Sequence, residues 1–293
     1  MSTLNHSEAV RQQFATDEIL RIRHHIHDTY SVPRVNYPEW VLSNMYWRGD
    51  ERILDAGCGS GTYFKSLADD WPDIQYYGLD FSMGMLIKHP ATGRIGLADV
   101  QHIPFADGTF DVVMANHMLY HVPDIDRAIT EIRRVLKPSG ILLAATNSLQ
   151  NMPELQVLMR RAVLLLARSG ATQVKPPAPA SDRFALENGS RQLSHYFYAV
   201  MRADLPGRLV FPEIEPVMEY LESTRALRES QLPADVAWED VMMIMRQQVT
   251  HLVNHLGELS ISKLNGVLLA TDDGGFIEEF IKIHAGITAD QPE

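Results

Sequence analysis

The chain has 293 residues, 45% of them apolar, and a formal net charge of −11. That length and composition suit one globular core, alone or with an inserted cap, and the longest clean apolar run, residues 162–167, is far too short to cross a bilayer. An acidic surface repels phosphate backbones, which disfavours a nucleic-acid substrate, and Arg21, Arg23, Arg160 and Arg161 read as solvated helix faces.

Thr16 reads as a helix N-cap with Asp17 and Glu18 in the first turn, which predicts a helix to about residue 30, ahead of Pro33. His24, His25 and His27 lie on it without all sharing one face, so they read as a solvated surface rather than a metal site. A second, short helix is expected from about Tyr37, carrying Trp40 and Trp47. From residue 52 strands and helices alternate. Strands are expected at 52–55, 75–79, 94–98, 111–115 and 141–146, and helices at 62–68, 82–88 and 125–136. The turn signals Trp71-Pro72-Asp73, Ala106-Asp107-Gly108 and Lys137-Pro138-Ser139-Gly140 fall where crossovers should end. Such alternation predicts a parallel sheet covered on both faces, with ligands at the carboxyl ends of its strands.

Beyond Asn147 the pattern changes. Leu155, Leu158, Met159, Ala162, Leu165 and Leu166 share one helical face. Residues 169–182 include Lys-Pro-Pro-Ala-Pro-Ala and read as a loop or hinge. A strand is expected at 197–203, a helix at 213–222, a long amphipathic helix at 238–256 and a last strand at 266–271. These helices read as a cap over the sheet's carboxyl edge. Met242, Met243 and Met245 read as core filling before pocket lining, and His195, Tyr196 and Tyr198 as ordinary packing. The single cysteine, Cys58, allows no intrachain disulfide, and the first residues lack the apolar stretch of a secretion signal, so a cytoplasmic location is expected.

The chemistry gathers at strand ends. Asp55 closes the first core strand before Gly57, Gly59 and Gly61, whose turn lets backbone approach a ligand where a Cβ would clash. A dinucleotide fingerprint would put its third glycine at position 62, which is Thr62. Asp80 closes the second strand and suits a ribose diol. Asp99 closes the third, and beside the apolar Val100 it suits an exocyclic amine on a stacked adenine. Asn116 and His117 follow the fourth. A glycine turn without a phosphate-binding lysine suits a nucleoside cofactor with an amino-acid tail.

Residues 54–61, Leu-Asp-Ala-Gly-Cys-Gly-Ser-Gly, resemble motif I of the class I S-adenosylmethionine-dependent methyltransferases. Residues 80–86, Asp-Phe-Ser-Met-Gly-Met-Leu, resemble that family's Asp-x-Ser-x-x-Met-Leu segment. The stretches 99–113, 117–122 and 136–140 are similar to the branch that includes ubiquinone and menaquinone C-methyltransferases and many small-molecule enzymes. The likeness covers about residues 51–147. It implies an α/β, Rossmann-like, doubly wound, mostly parallel seven-stranded sheet. Residues 1–48 would be an N-terminal helical lid, 49–150 the S-adenosylmethionine-binding core, and 151–293 the helical cap with the last strands of the same sheet, all in one structural domain.

The resemblance further implies that Gly57, Gly59 and Gly61 face the methionine part of S-adenosyl-L-methionine. Asp80 would hold the ribose hydroxyls with Phe81 and Met85 packed nearby, Asp99 and Val100 would meet the adenine, and Asn116 would lie near the sulfonium. Asp55 is expected to brace the glycine turn through backbone N–H groups. Tyr30 or Arg34, on a closing N-terminal helix, would meet the cofactor carboxylate. His121, Tyr120 and His117 are the expected base or substrate hydrogen-bond donors. No metal is expected, since a zinc site from the histidines would need further ligands. The expected acceptor is an oxygen, nitrogen or carbon nucleophile of a small, partly apolar molecule. No nucleic-acid or membrane partner is expected, and a homodimer is compatible with the sequence. Three other readings stay open: a nucleotide-dependent oxidoreductase, a non-enzymatic cofactor-binding or regulatory protein, and a macromolecular methyltransferase.

Overall fold

The structure is a computed structural model that describes residues 10–11, 13–167 and 177–285. Helix α1 (Glu18–Tyr30) runs into the short strand β1 (Ser31–Val32), and α2 (Tyr37–Leu42) follows. The alternating core consists of β2 (Arg52–Ala56), α3 (Thr62–Asp70), β3 (Gln75–Asp80), α4 (Met83–Leu86), β4 (Ile95–Leu97), β5 (Phe110–Met114), α5 (Ile125–Val135) and β6 (Leu136–Asn147). After it come α6 (Pro153–Leu166), α7 (Leu186–Leu193), β7 (Ala199–Phe211), α8 (Glu215–Glu222), α9 (Arg225–Arg228), α10 (Trp238–Leu256), β8 (Leu259–Thr271) and α11 (Gly275–His284).

Among the described residues eight strands make one sheet, in the order β1-β7-β8-β6-β5-β2-β3-β4. β4, β3, β2, β5 and β6 are parallel neighbours, and β8 runs antiparallel between β6 and β7. The strand beyond the expected seven is β1, whose two residues pair with Leu209 and Arg208 of β7. Two residues carry no periodicity, so sequence alone could not announce it. The central strands are apolar on both faces because both faces are covered: Ile53, Leu54, Val112, Val113, Leu142 and Leu143 are buried. Helix α5 shows why its segment folds as it does. The Asp124 carboxylate caps it by accepting the Arg127 N–H at 2.9 Å, and Ala128, Ile129, Ile132 and Val135 bury one face. Each buried Ile or Val contributes roughly 1.5–3 kcal/mol.

Three departures from the sequence reading have local causes. The expected turn at 137–140 is part of β6, and a register shift between Phe110 and Val112 on β5 absorbs the irregularity. Helix α7 was masked by its central glycine. That glycine packs tightly, since a Cβ on Gly189 would lie 2.9 Å from Leu268 Cδ1, which would have to shift. β7 and β8 are each 13 residues long, far beyond the expected 197–203 and 266–271. Their extra lengths hold Asp204, Pro206, Gly207, Ser260, Ser262 and Lys263, residue types that read as turn or surface.

The extra length positions the site. β6 stops at Asn147, opposite Asn265, so Leu259–Leu264 overhang the carboxyl edge paired only with β7. The overhang carries Leu209, Phe211, Leu259 and Ile261 into a second core with Ile26 of α1, Met159 of α6, Met218 of α8, and Trp238 and Met245 of α10. Met245 is core, as expected, while Met243 is exposed. Of the proline-rich stretch, residues 169–176 lie outside the described residues, and 180–183 form a 3-10 turn. Among the described residues no helix is long and apolar enough to cross a membrane.

Candidate active site

β2 ends in a turn in which Gly57, Gly59 and Gly61 have φ of 78°, 56° and 88°. A side chain at such angles is strained, so glycine is the residue that makes this turn. β3 pins it. The Leu79 carbonyl accepts the N–H groups of Gly57 (2.7 Å) and Cys58 (3.0 Å). One Asp80 oxygen accepts the Gly59 N–H at 2.8 Å, and the other accepts the Ser82 N–H at 2.7 Å. These N–H bonds favour the Asp80 carboxylate, but burial outweighs them and raises its pKa.

Asp55 does not brace the turn as expected; Leu79 and Asp80 do. Its carboxylate lies behind the turn and accepts the Tyr76 hydroxyl at 2.9 Å. Tyr76 Oη is in turn 3.1 Å from His89 Nε2, and His89 Nδ1 accepts the Ala91 N–H. Burial pushes Asp55 up to about 7, against the pull of Tyr76 and with a further push from Asp80. Gly61 is also displaced from its expected role. It caps α3, and a Cβ there would lie 2.7 Å from Pro90 Cδ, so the residue serves the turn and does not line the cavity.

A cavity of about 820 Å³ opens at the carboxyl ends of the strands. That is at the upper end of ligand-pocket sizes and leaves space for two small molecules side by side. One half is walled by Gly57, Gly59, Asp80, Phe81, Met85, Asp99, Val100 and Asn116, so eight of the twelve expected cofactor residues come together. Asp99 accepts the Gln101 N–H at 2.9 Å and the Gln101 side-chain amide. Residues 10–11 and 13–15 cover this half. Arg11 lies over the Phe81 ring at 4.5 Å, and Ser82 Oγ donates to the Phe14 carbonyl at 2.6 Å. A Cβ on Gly84 would sit 1.9 Å from the Ala15 carbonyl oxygen.

The other half is walled by α1, the end of β5, α8 and the β8 overhang. His117, at φ 54°, has Nε2 3.0 Å from Tyr37 Oη. Burial, with His24 and Lys263 nearby, pushes its pKa down to about 4. His27 is pushed down to about 3, again chiefly by burial. Both rings are therefore neutral at pH 7. Burial raises the Tyr37 and Tyr120 phenols. Tyr120 and His121 meet edge to face at 4.5 Å, and Phe14 packs on His121 at 5.1 Å. All three expected catalytic side chains thus line the cavity.

Arg34 lines the cavity, whereas Tyr30 does not: it packs on Phe211 at 5.1 Å, inside the second core. The overhang supplies the apolar partner that draws Tyr30 away. The sequence reading missed Arg23, His24, His27, Tyr220 and Lys263, all on the cavity wall. A solvated surface was expected for His24 and His27. Helical spacing held the contrary signal, because Leu20, Arg23, His24 and His27 fall on one face at three- and four-residue steps. Nothing comparable marked Lys263, which reaches the site only because β8 overhangs.

Residues 54–144 match the family described as methyltransferase domain. Residues 54–144 thus form a methyltransferase domain. Around this methyltransferase domain the likeness is partial. The malonyl-[acyl-carrier protein] O-methyltransferase of Geobacter sulfurreducens is 32% identical over 152 residues, which is 49% of this chain and 57% of that protein. The demethylmenaquinone methyltransferase of Lactiplantibacillus plantarum is 32% identical over 39% of this chain and 52% of its own length. The chain spans about half the length of these curated relatives. A solved structure from Anabaena variabilis, described as a methyltransferase of an antibiotic biosynthesis pathway, superposes with a TM-score of 0.55 over 82% of this chain and 98% of its own, at 14% identity. At that identity the match shows the methyltransferase fold alone.

Proposed function

We propose that this chain moves a methyl group from S-adenosylmethionine to an oxygen, nitrogen or carbon nucleophile of a small molecule held between α1 and the β8 overhang. One observation carries the reading: Asp80 and Asp99 stand at successive strand ends on one cavity wall, beside a turn of left-handed glycines. The residues present fit the cofactor. Asn116 Oδ1 is fixed by the Ala145 N–H at 2.9 Å, while its buried Nδ2 has no hydrogen-bond partner among the described residues. A buried amide without a partner is costly, and a polar ligand atom would relieve it.

When bound, S-adenosylmethionine supplies an electrophilic methyl group for in-line displacement. In this assignment Gly57 and Gly59 flank its methionine part, Asp80 accepts from the ribose hydroxyls, and Asp99 with Val100 takes the adenine. Arg34 pairs with the amino-acid carboxylate, in the role expected of Tyr30 or Arg34. Residues 10–11 and 13–15, over Phe81 and α4, form the part of the 1–48 lid that excludes water, and α8 of the 151–293 cap closes the acceptor side through Tyr220, with α6 and α10 in the core behind it. His117 and His27 are neutral, and at about 4 and about 3 they are weak bases that accept a hydrogen bond from the nucleophile. Tyr120 and His121 orient the acceptor. The two relatives are named for different acceptors, so their names do not choose among oxygen, nitrogen and carbon.

Calorimetry with S-adenosylhomocysteine tests the reading. Binding should be saturable and should raise the melting temperature, as for any ligand that prefers the folded state. Absence of binding, with uptake of a nicotinamide dinucleotide instead, sinks it.

A further inference from the structure

The cavity wall formed by α1 and β8 holds cations that lack partners of opposite sign among the described residues. Lys263 Nζ makes one hydrogen bond, to Ser31 Oγ at 3.1 Å, and burial lowers its pKa. Arg23 donates only to uncharged groups, to Ser223 Oγ at 3.0 Å and to the Ser223 carbonyl at 2.5 Å, with the Gln13 amide oxygen facing it. Among the described residues no carboxylate lies within 4.0 Å of either cation. Asp28 is the acidic side chain on this wall, and it offsets Lys263 only from a distance. His24, His27 and His117 complete the surroundings, each with its pKa lowered and so uncharged near pH 7. His27 Nδ1 is buried with no hydrogen-bond partner among the described residues.

Two cations against one carboxylate leave about one net positive charge facing the acceptor space. A half-buried ammonium without a counter-ion is destabilising, and a ligand oxyanion would complete it. The chain as a whole carries a formal charge of −11, so a local excess of this sign is not a consequence of composition.

We infer that the methyl acceptor carries a carboxylate, and that Lys263 holds it against the wall formed by α1 and β8. A single net charge matches a monoanion rather than a phosphate dianion. Lysine is a compact point charge on a flexible stem, which suits a rotatable carboxylate. The carboxylate is an anchor that orients the acceptor toward Asn116 and His117, and no covalent step at Lys263 is involved. The inference rests on the methyltransferase reading above.

The test uses the full-length chain, saturated with S-adenosylhomocysteine, and a library of small carboxylic acids paired with their primary amides. The first measurement is the thermal shift with cofactor product alone. If it is absent, the methyltransferase reading fails, whatever Lys263 does. With that shift present, acids should stabilise the protein further while their amides do not. In Lys263→Met the cofactor-product shift should persist, which also shows that the variant folds, and affinity for the best acid should fall at least about tenfold. Lys263→Arg should recover part of it. Amides that bind as well as acids, a library in which neither binds, or an acid affinity untouched by Lys263→Met overturns the inference.

Discussion

The two halves of the cavity are built differently. The cofactor half comes mainly from three short segments, residues 57–59, 80–85 and 99–100, each at a strand end and held by backbone N–H bonds, with Asn116 beside them. Asp80 shows the style, with one oxygen on the Gly59 N–H and the other on the Ser82 N–H. The acceptor half comes from side chains far apart in the chain. Arg23, His117, Tyr220 and Lys263 meet only because a strand overhang and a helix are folded over the sheet edge. Apart from the Asn116 amide, the first half is satisfied internally among the described residues, and the second holds charge and imidazole nitrogen left open for a ligand. A half that satisfies itself is set by local sequence. A half that waits for its ligand is set by tertiary packing.

The contrast can be broken most sharply at Asp80. Asp80→Ala removes the proposed diol acceptor and frees two N–H groups of the turn. Affinity for S-adenosylhomocysteine should drop by about 100-fold, on the order of 3 kcal/mol, with the fold retained by circular dichroism. A loss under threefold would mean that the Asp80 carboxylate holds neither the ribose nor the turn.

Acid titration sharpens the contrast, because the halves respond with opposite sign. His27 and His117 hold folded-state values of about 3 and about 4, below the ordinary 6.5. The unfolded chain therefore takes up their protons first, and the stability they hold above pH 6.5 is lost as pH falls. Asp55, behind the glycine turn, is raised from 3.8 to about 7, so the folded chain takes up its proton first and gains stability over the same descent. By linkage the two histidines cost about 3 kcal/mol at pH 5.5, and Asp55 returns about 2. Melting temperature should fall modestly from pH 7.5 to 5.5, and clearly more steeply in Asp55→Asn. Equal slopes in the two proteins would contradict these assignments.

A smaller effect is expected at the lid. Gly84→Ala drives a methyl group into the Ala15 carbonyl, which must move. Cofactor-product affinity should weaken about tenfold, roughly 1.4 kcal/mol, with protease cutting near residues 10–15 accelerated. Unchanged proteolysis would show that the segment does not depend on α4.

Legibility followed the same divide. The strand-end stations lie within a few residues of signals that sequence carries, namely alternating glycines, an acid after an apolar run, and a helix start. Eight of the twelve expected cofactor residues wall one half of the cavity, and Arg34 lines it too. Helix α10 was readable to its bounds because its apolar face repeats for five turns. Asp55 and Gly61 were misassigned because strand position alone does not say which side of a turn a group faces. Tyr30 was misassigned because its partner, Phe211, belongs to a strand extension that reads as surface. Lys263 was invisible for that same reason. Polar alternation with Pro206 and Gly207 resembles a turn until the neighbouring strand is known.

The flanks of Lys263 have a consequence for selectivity. Where β6 ends, residues 148–154 turn back along β8. Ser148 and Met152 donate N–H groups to the carbonyls of Leu264 and Ser262, while Asn151 Oδ1 and Glu154 Oε2 accept the N–H groups of the same two residues. The stem of the lysine thus leaves a clamped backbone, so its charge can follow a guest only as far as that stem reaches. An ill-fitting molecule must desolvate that ammonium without reaching it, and rejection comes from this mismatch as much as recognition comes from contact.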